Sequence, residues 1–378
     1  MNFKLRRQMH AEGLEPRLLM AADSAHGNNL FCPAIEYAEI GAFAPSQSSQ
    51  TAEDIWPDTI PLPANFEPKG IELGKGHDFF VSGTSWSSLL GPAVFEQEFP
   101  LSPNAGAIYK GNLRTGEGAF DDDPDREFLV EPTGRPLLGL SYDARTDSIY
   151  AAVMDPGVAF SGEPFTNVGI VVYNGTTGEK VNEILIGDGP FLSNVLVTKS
   201  AVFATSNFSP GLYKMPLGPG GRLPASPVIE EIVMTGYQPA NGFYAWGLEG
   251  SFDGRELLVL NGLNGNGVLH HVDTATGAAT PITIDGAQQT FEDGDELYLR
   301  GRTLYISQVF SNSVAVVQLS GDLTRGTFVE EISTGELEGE LNTAHSIVGF
   351  GDSIYAANVA FSELGTAGYQ VDVVKLKK

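Results

Sequence analysis

The chain has 378 residues, 47 of them acidic against 22 basic, for a formal net charge of −25. Such a field repels phosphate backbones and anionic lipid, which argues against nucleic acid as a partner. No apolar run reaches the ~18–20 residues of a membrane-spanning helix, and a single cysteine, Cys32, excludes internal disulfides and a cysteine-rich metal site.

The first 22 residues carry Lys4, Arg6, Arg7 and Arg17 against Glu12 and Glu15, a basic opening to an acidic chain. The apolar run at 18–22 is shorter than the ~7–15 residue centre of a secretory signal peptide. The segment Leu14-Glu15-Pro16-Arg17-Leu18-Leu19-Met20 resembles the Leu-Glu-Pro-Arg-x-Leu-Leu motif found near the N-termini of surface or exported proteins of planctomycetes and some proteobacteria. That resemblance implies export, with an extracellular or cell-surface location. Residues 23–54, rich in Ser, Gln, Ala and Gly, read as a linker with too little apolar content to offset its ordering entropy.

From residue 55 onward one short apolar strand recurs. Its copies are Phe79-Phe80-Val81-Ser82, Ile149-Tyr150-Ala151-Ala152, Val202-Phe203-Ala204-Thr205, Leu257-Leu258-Val259-Leu260, Leu304-Tyr305-Ile306-Ser307 and Ile354-Tyr355-Ala356-Ala357. They recur roughly every 50 residues, close to the period of a propeller blade. Each copy follows a short strand and a tight turn, as in Gly70-Ile71-Glu72-Leu73 before Gly74-Lys75-Gly76 and Ile347-Val348-Gly349-Phe350 before Gly351-Asp352. Gly, Asp and Asn supply the backbone angles that such hairpins need. Most copies are followed by a second hairpin, as in Val171-Val172-Tyr173-Asn174 before Thr177-Gly178. Strand, turn, strand, loop, strand, turn, strand makes a four-stranded antiparallel blade. No stretch shows apolar residues at 3.6-residue spacing, so no helix is expected. The reading is all-β: a six-bladed propeller over residues 55–378. The sixth blade runs out of chain after three strands. The segment 55–62, with Pro57 and Pro61 tolerable only on an edge, is expected to pair with 370–376 and close the ring.

Segments from Trp56 to Val374 resemble the senescence-marker-protein, gluconolactonase and luciferin-regenerating-enzyme superfamily, especially a bacterial branch of it. They include the run from Ile60-Pro61-Leu62-Pro63 to Glu67-Pro68-Lys69-Gly70-Ile71, Val272-Asp273-Thr274-Ala275-Thr276-Gly277, Leu299-Arg300-Gly301-Arg302-Thr303-Leu304-Tyr305 and Asp322-Leu323-Thr324-Arg325-Gly326. The resemblance implies a six-bladed propeller with a divalent ion at its centre, held by a Glu, two Asn and an Asp. Oxygen ligands of that kind suit calcium, and the ion would polarise a lactone or ester carbonyl and activate water.

At those positions this chain departs from the pattern. The Glu of Pro-Glu-Gly is replaced by Lys69. The third-blade Asn falls on Ser193, with Asn194 beside it, and the fourth-blade Asn falls on Trp246. Only the fifth blade keeps its acid, in Asp293-Gly294-Asp295. Asp295 is thus the one retained family ligand, and a cation stands in for another. His345 precedes the sixth inner strand and is expected to face the channel. The channel-facing candidates are Lys69, Ser193, Asn194, Trp246, Asp293, Asp295 and His345. The candidates for catalysis, if there is any, are Lys69 and Asp295.

Other features read as structural. The acidic run Asp121-Asp122-Asp123-Pro124-Asp125 lacks the spacing of a calcium loop. His270 and His271 are adjacent on a strand, so they point to opposite faces and cannot chelate one ion together. The expected function is an exported binding or scaffold module with a degenerate metal site, no cofactor, and a small molecule or protein as partner to a monomer. The alternative is a calcium-dependent lactone or ester hydrolase, in which Glu292, Asp293, Asp295 and Asn194 assemble a displaced oxygen site.

Overall fold

The computed structural model describes residues 56–95, 99–118, 126–157, 163–239, 243–260, 262, 266–333, 344–359, 361, 364 and 371–376. The N-terminal motif at 14–20, the linker at 23–54 and the acidic run at 121–125 lie outside the described residues.

The chain folds as a six-bladed β-propeller. Strand β1 (Thr59–Pro61) precedes the first blade, which holds β2 (Pro68–Leu73), β3 (Asp78–Gly83) and β4 (Ile108–Asn112). The second blade is β5 (Leu137–Asp143), β6 (Ser148–Val153), β7 (Val168–Asn174) and β8 (Lys180–Gly187). The third is β9 (Leu192–Val197), β10 (Ala201–Ser206), β11 (Gly211–Pro216) and β12 (Glu230–Val233). The fourth holds β13 (Gly247–Gly250), β14 (Glu256–Leu260), β16 (His270–Asp273) and β17 (Ala279–Pro281). A small ladder joins β15 (Asn266–Gly267) to β19 (Phe291–Glu292). In the fifth, β20 (Gly294–Arg300), β21 (Thr303–Gln308), β22 (Ser313–Leu319) and β23 (Arg325–Ser333) are joined by β18 (Thr283–Asp285), which lies parallel to β23. The sixth contains β24 (Ala344–Phe350), β25 (Ser353–Asn358) and β26 (Asp372–Leu376).

Ring closure follows the expectation. Strand β1 pairs antiparallel with β26, with Thr59 opposite Val374 and Pro61 opposite Asp372, so the sixth sheet runs β1-β26-β25-β24. Ile60 and Leu62 are buried there.

The recurring apolar copies are the second strands of the blades, and they are buried on both faces. In β14, Leu257 and Val259 pack toward the third blade, whereas Leu258 and Leu260 pack toward the fifth. In β25, Ile354 and Ala356 join the core shared with the fifth blade, while Tyr355 and Ala357 join the core reaching the first. A strand sandwiched between two neighbours reads as a continuous apolar run rather than an alternating one.

One feature departs from the sequence expectation: a helix, α1 (Trp86–Phe95), sits between β3 and β4. Its stretch Trp-Ser-Ser-Leu-Leu-Gly-Pro-Ala-Val-Phe shows no amphipathic period. It is fixed at its start by side chains. Buried Glu67 accepts hydrogen bonds from Ser87 N (2.9 Å) and Ser87 Oγ (2.8 Å) in the first turn, where a carboxylate complements the helix dipole.

Candidate functional site: the centre of the ring

The six innermost strands β2, β5, β9, β13, β20 and β24 surround the axis. In β2, β5, β9, β20 and β24 the pairing with the second strand shifts register near the N-terminal end. These irregularities re-aim side chains. They span Lys69, Asn194, Asp295 and His345, which are four of the predicted site residues. On β20 the shift falls between Gly294 and Leu297. A regular strand would send Asp295 and Glu296 to opposite faces; here both reach the centre.

Lys69 Nζ stands 3.2 Å from Asp295 Oδ1 and 3.1 Å from Oδ2, and 3.8 Å from Glu296 Oε2. Lys69 is 0% exposed and Asp295 3%. His345 Nδ1 lies 2.5 Å from Asp295 Oδ2. Glu296 accepts from Asn194 Nδ2 and from Ser346 Oγ, the latter at 3.3 Å. Burial pushes the Asp295 carboxyl upward, but Lys69 and His345 outweigh it and hold the group below the ordinary carboxylate range. His345 moves the other way to the usual partnered histidine: burial, reinforced by the Lys69 charge, lowers it. Glu296 is raised to about 7, by burial first, with Asp295 adding to it and Lys69 and Asn194 opposing.

Trp86, the first residue of α1, covers this network. Its ring stacks on His345 with centroids 4.5 Å apart and planes 15° apart. Its Nε1 donates to Pro68 O at 2.9 Å, which fixes it to the strand bearing Lys69. Phe361 packs edge-on to Trp86. The helix missed in the sequence thus supplies the cap of the site. Trp86 could not be found from spacing, because it lies outside the innermost strands.

The remaining predicted residues are held elsewhere. Ser193 Oγ lies 3.0 Å from Thr205 Oγ1 and donates to Ala245 O (3.2 Å), tying the third blade to the fourth. Trp246 packs against Phe191, centroids 6.2 Å apart, and its carbonyl accepts from Thr205 Oγ1. Asp293 sits in a left-handed turn (φ 55°), its N–H donating to Gly262 O and its carbonyl accepting from Val309 N. The structure therefore brings together Lys69, Asp295 and His345, and Asn194 through Glu296; Ser193, Trp246 and Asp293 serve the walls. On β16, His270 is buried with Nδ1 at Val268 O, while His271 faces Glu256.

These residues do not fit the divalent ion that the resemblance implies. An ammonium occupies the charge complement of the retained acid, and its own donors take up both Asp295 oxygens. Among the described residues no group of three His, Cys, Asp or Glu side chains is arranged to hold a metal ion.

No known protein-family profile matches the chain, and no curated protein is similar to it in sequence. Solved structures are similar in fold. The major Malassezia sympodialis allergen Mala s 1 superposes with a TM-score of 0.56 at 12% identity, covering 85% of this chain and 96% of that one. The PQQ-bound form of aldose sugar dehydrogenase from Streptomyces coelicolor gives 0.50 at 14% identity, covering 85% and 99%. At such identities the likeness defines the class: a six-bladed β-propeller, a fold that some enzymes share. Fold alone does not carry function.

Proposed function

We propose that this protein is a non-catalytic binding or scaffold propeller, exported and displayed outside the cell, whose centre is closed by an internal ion pair instead of a metal. The observation that supports it is Lys69, fully buried on Asp295 and sealed beneath Trp86. Catalysis of the lactonase kind needs a Lewis-acid ion with an open position for substrate, and here both the ion's place and the access above it are taken. A partner would meet the rim of the capped end, where Phe208 packs between Phe191 and Phe243 and is 40% exposed. Export rests on the motif at residues 14–20 and follows from no feature of the propeller.

The decisive experiment is thermal denaturation of the purified protein with and without millimolar calcium, alongside assay of simple lactones. A ligand that binds only the folded state raises Tm by mass action. The expected result is no shift and no calcium-dependent hydrolysis. A calcium-dependent rise in Tm that disappears in Asp295→Ala, or turnover of a lactone, would establish the hydrolase reading instead.

A further inference from the structure

Below the Lys69 level the axis opens into a cavity of about 90 Å³, lined by Glu72, Glu249 and Glu296 together with Ser141, Asn194 and Ser346. Glu72 lies near the end of β2 and Glu249 near the end of β13, in the first and fourth blades, on opposite sides of a six-membered ring. Both are partly exposed, so solvent protons reach them. We propose that Glu72 and Glu249 form a proton-operated latch in this channel: neutral, they let the inner strands close on one another, and ionised, they drive the opposed strands apart.

The seams between blades show what the latch holds. Innermost strands of neighbouring blades form no ladder with each other, and side chains bridge them instead. Glu249 accepts from Leu299 N of the fifth blade at 3.2 Å and from its own neighbour Gly250 N at 3.2 Å. Glu72 accepts from Leu73 N at 2.9 Å and from the backbone of Tyr142 in the second blade. Ser141 accepts from Val197 N at 3.2 Å and Ser346 from Ile71 N at 3.1 Å, which are the uncharged versions of the same bridge. Where a serine would serve as well, an acid adds something besides the bridge: a charge that can be switched.

The surroundings set that charge against itself. The acids act on one another: Glu249 feels Glu72 and Glu296, and Glu72 feels Glu296. Lys69, the cation of the network above, is committed to Asp295 and Glu296. His345 stays at the upper level beside Asp295, and the Tyr298 hydroxyl donates to Gly349 O. Strands β5, β9 and β24 offer the cavity only serine, asparagine and apolar side chains. Burial, with like charge behind it, raises Glu72 to about 7 and Glu249 to about 8. Folded values above the ordinary 4.5 mean that the folded protein binds more protons than the unfolded chain between the two. The stabilisation is full below about pH 4.5 and is lost as pH rises through 7 to 8.

The test is the Tm of the full chain from about pH 5.5 to about pH 9, for wild type, Glu72→Gln, Glu249→Gln and the double variant. Glutamine keeps an acceptor oxygen for each backbone N–H and removes the charge. Wild type should lose on the order of 5 °C across this range, each single variant should lose less, and the double variant should keep only the smaller fall that Glu296 leaves. Carbon-13 NMR of the wild-type glutamate carboxyls, which does not depend on any variant folding, should show three groups, Glu72, Glu249 and Glu296, titrating above about pH 6, against an ordinary value near 4.3. A double variant that falls as steeply as wild type, or no carboxyl titrating above that pH, would overturn the latch. So would calcium restoring the low-pH Tm at the alkaline end at constant ionic strength, because a bound cation rather than a proton would then fill the channel.

Discussion

Lys69 Nζ and Asp295 Oδ2 lie 3.1 Å apart on two non-adjacent blades of the ring, 226 residues apart in sequence. The pair joins the first blade to the fifth through the channel. Removing one member leaves a buried charge with no counter-ion, which typically costs about 3–5 kcal/mol. We therefore expect Asp295→Ala and Lys69→Ala each to be strongly destabilising in urea denaturation. Replacing both members with apolar residues of similar volume, Lys69→Met with Asp295→Leu, should recover much of that loss. If the double replacement is no better than the worse single one, the two side chains do not act as a pair.

The acid limb of stability should depend on Asp295. Its carboxyl is held below the ordinary range in the folded state. It therefore contributes stability above its unfolded value, lost as pH falls toward and through the folded one. Asp295→Asn, measured by Tm in acid buffers, should flatten that decline while lowering stability at neutral pH. An unchanged acid decline would assign it to other carboxylates.

Trp86 should matter for access as well as stability. Trp86→Ala removes a ring that is 2% exposed and stacked on His345; core aromatic truncations cost about 3–5 kcal/mol. The vacated space opens toward Lys69. An amine-selective reagent, located by mass spectrometry, should label Lys69 in this variant under native conditions and leave it untouched in wild type. Equal protection in both would show that the cap is not what closes the centre.

Close approach of the inner strands is set by glycine. A Cβ at Gly139 would lie 2.2 Å from Asn194 Oδ1 and 2.6 Å from Ser193 O, and one at Gly247 would lie 2.4 Å from Asp295 O. Overpacking of this kind typically costs about 1–3 kcal/mol. Gly139→Ala should lower the urea midpoint by that order and weaken the Asn194–Glu296 contact. Gly76→Ala, at an open turn with φ 67°, strains only the backbone and controls for loss of glycine as such. A Gly139→Ala protein as stable as wild type would show that the funnel yields easily.

Closure by β1 separates two truncations. Deleting residues 1–54 should leave Tm unchanged, whereas deleting 1–64 removes buried Ile60 and Leu62 and exposes the edge of β26. Each such side chain contributes about 1.5–3 kcal/mol when buried. Equal melting temperatures for the two proteins would remove β1 from the account.

The six recurring apolar strands, and the proline-bearing segment that ends on β26, were legible because burial between two sheets imprints a continuous apolar run on each second strand. Lys69 and Asp295 were legible as candidates because a resemblance marked their positions. Glu296 was not, since strand alternation puts it on the face opposite Asp295 and only the register shift in β20 brings both inward. Trp86 was not, since a short helix with no amphipathic period leaves no pattern. Glu72 and Glu249 were not, since nothing in a strand pattern marks which acids line the channel.

The sequence by itself determined the propeller, its blade count and the way the ring closes, because those depend on local strand patterns repeated along the chain. The tertiary structure alone decided that the centre is an ion pair under a tryptophan, with two further acids lining the channel below it. Those relationships join residues from blades far apart in sequence, and they turn on strand irregularities and on distances of a few ångströms that no periodicity encodes.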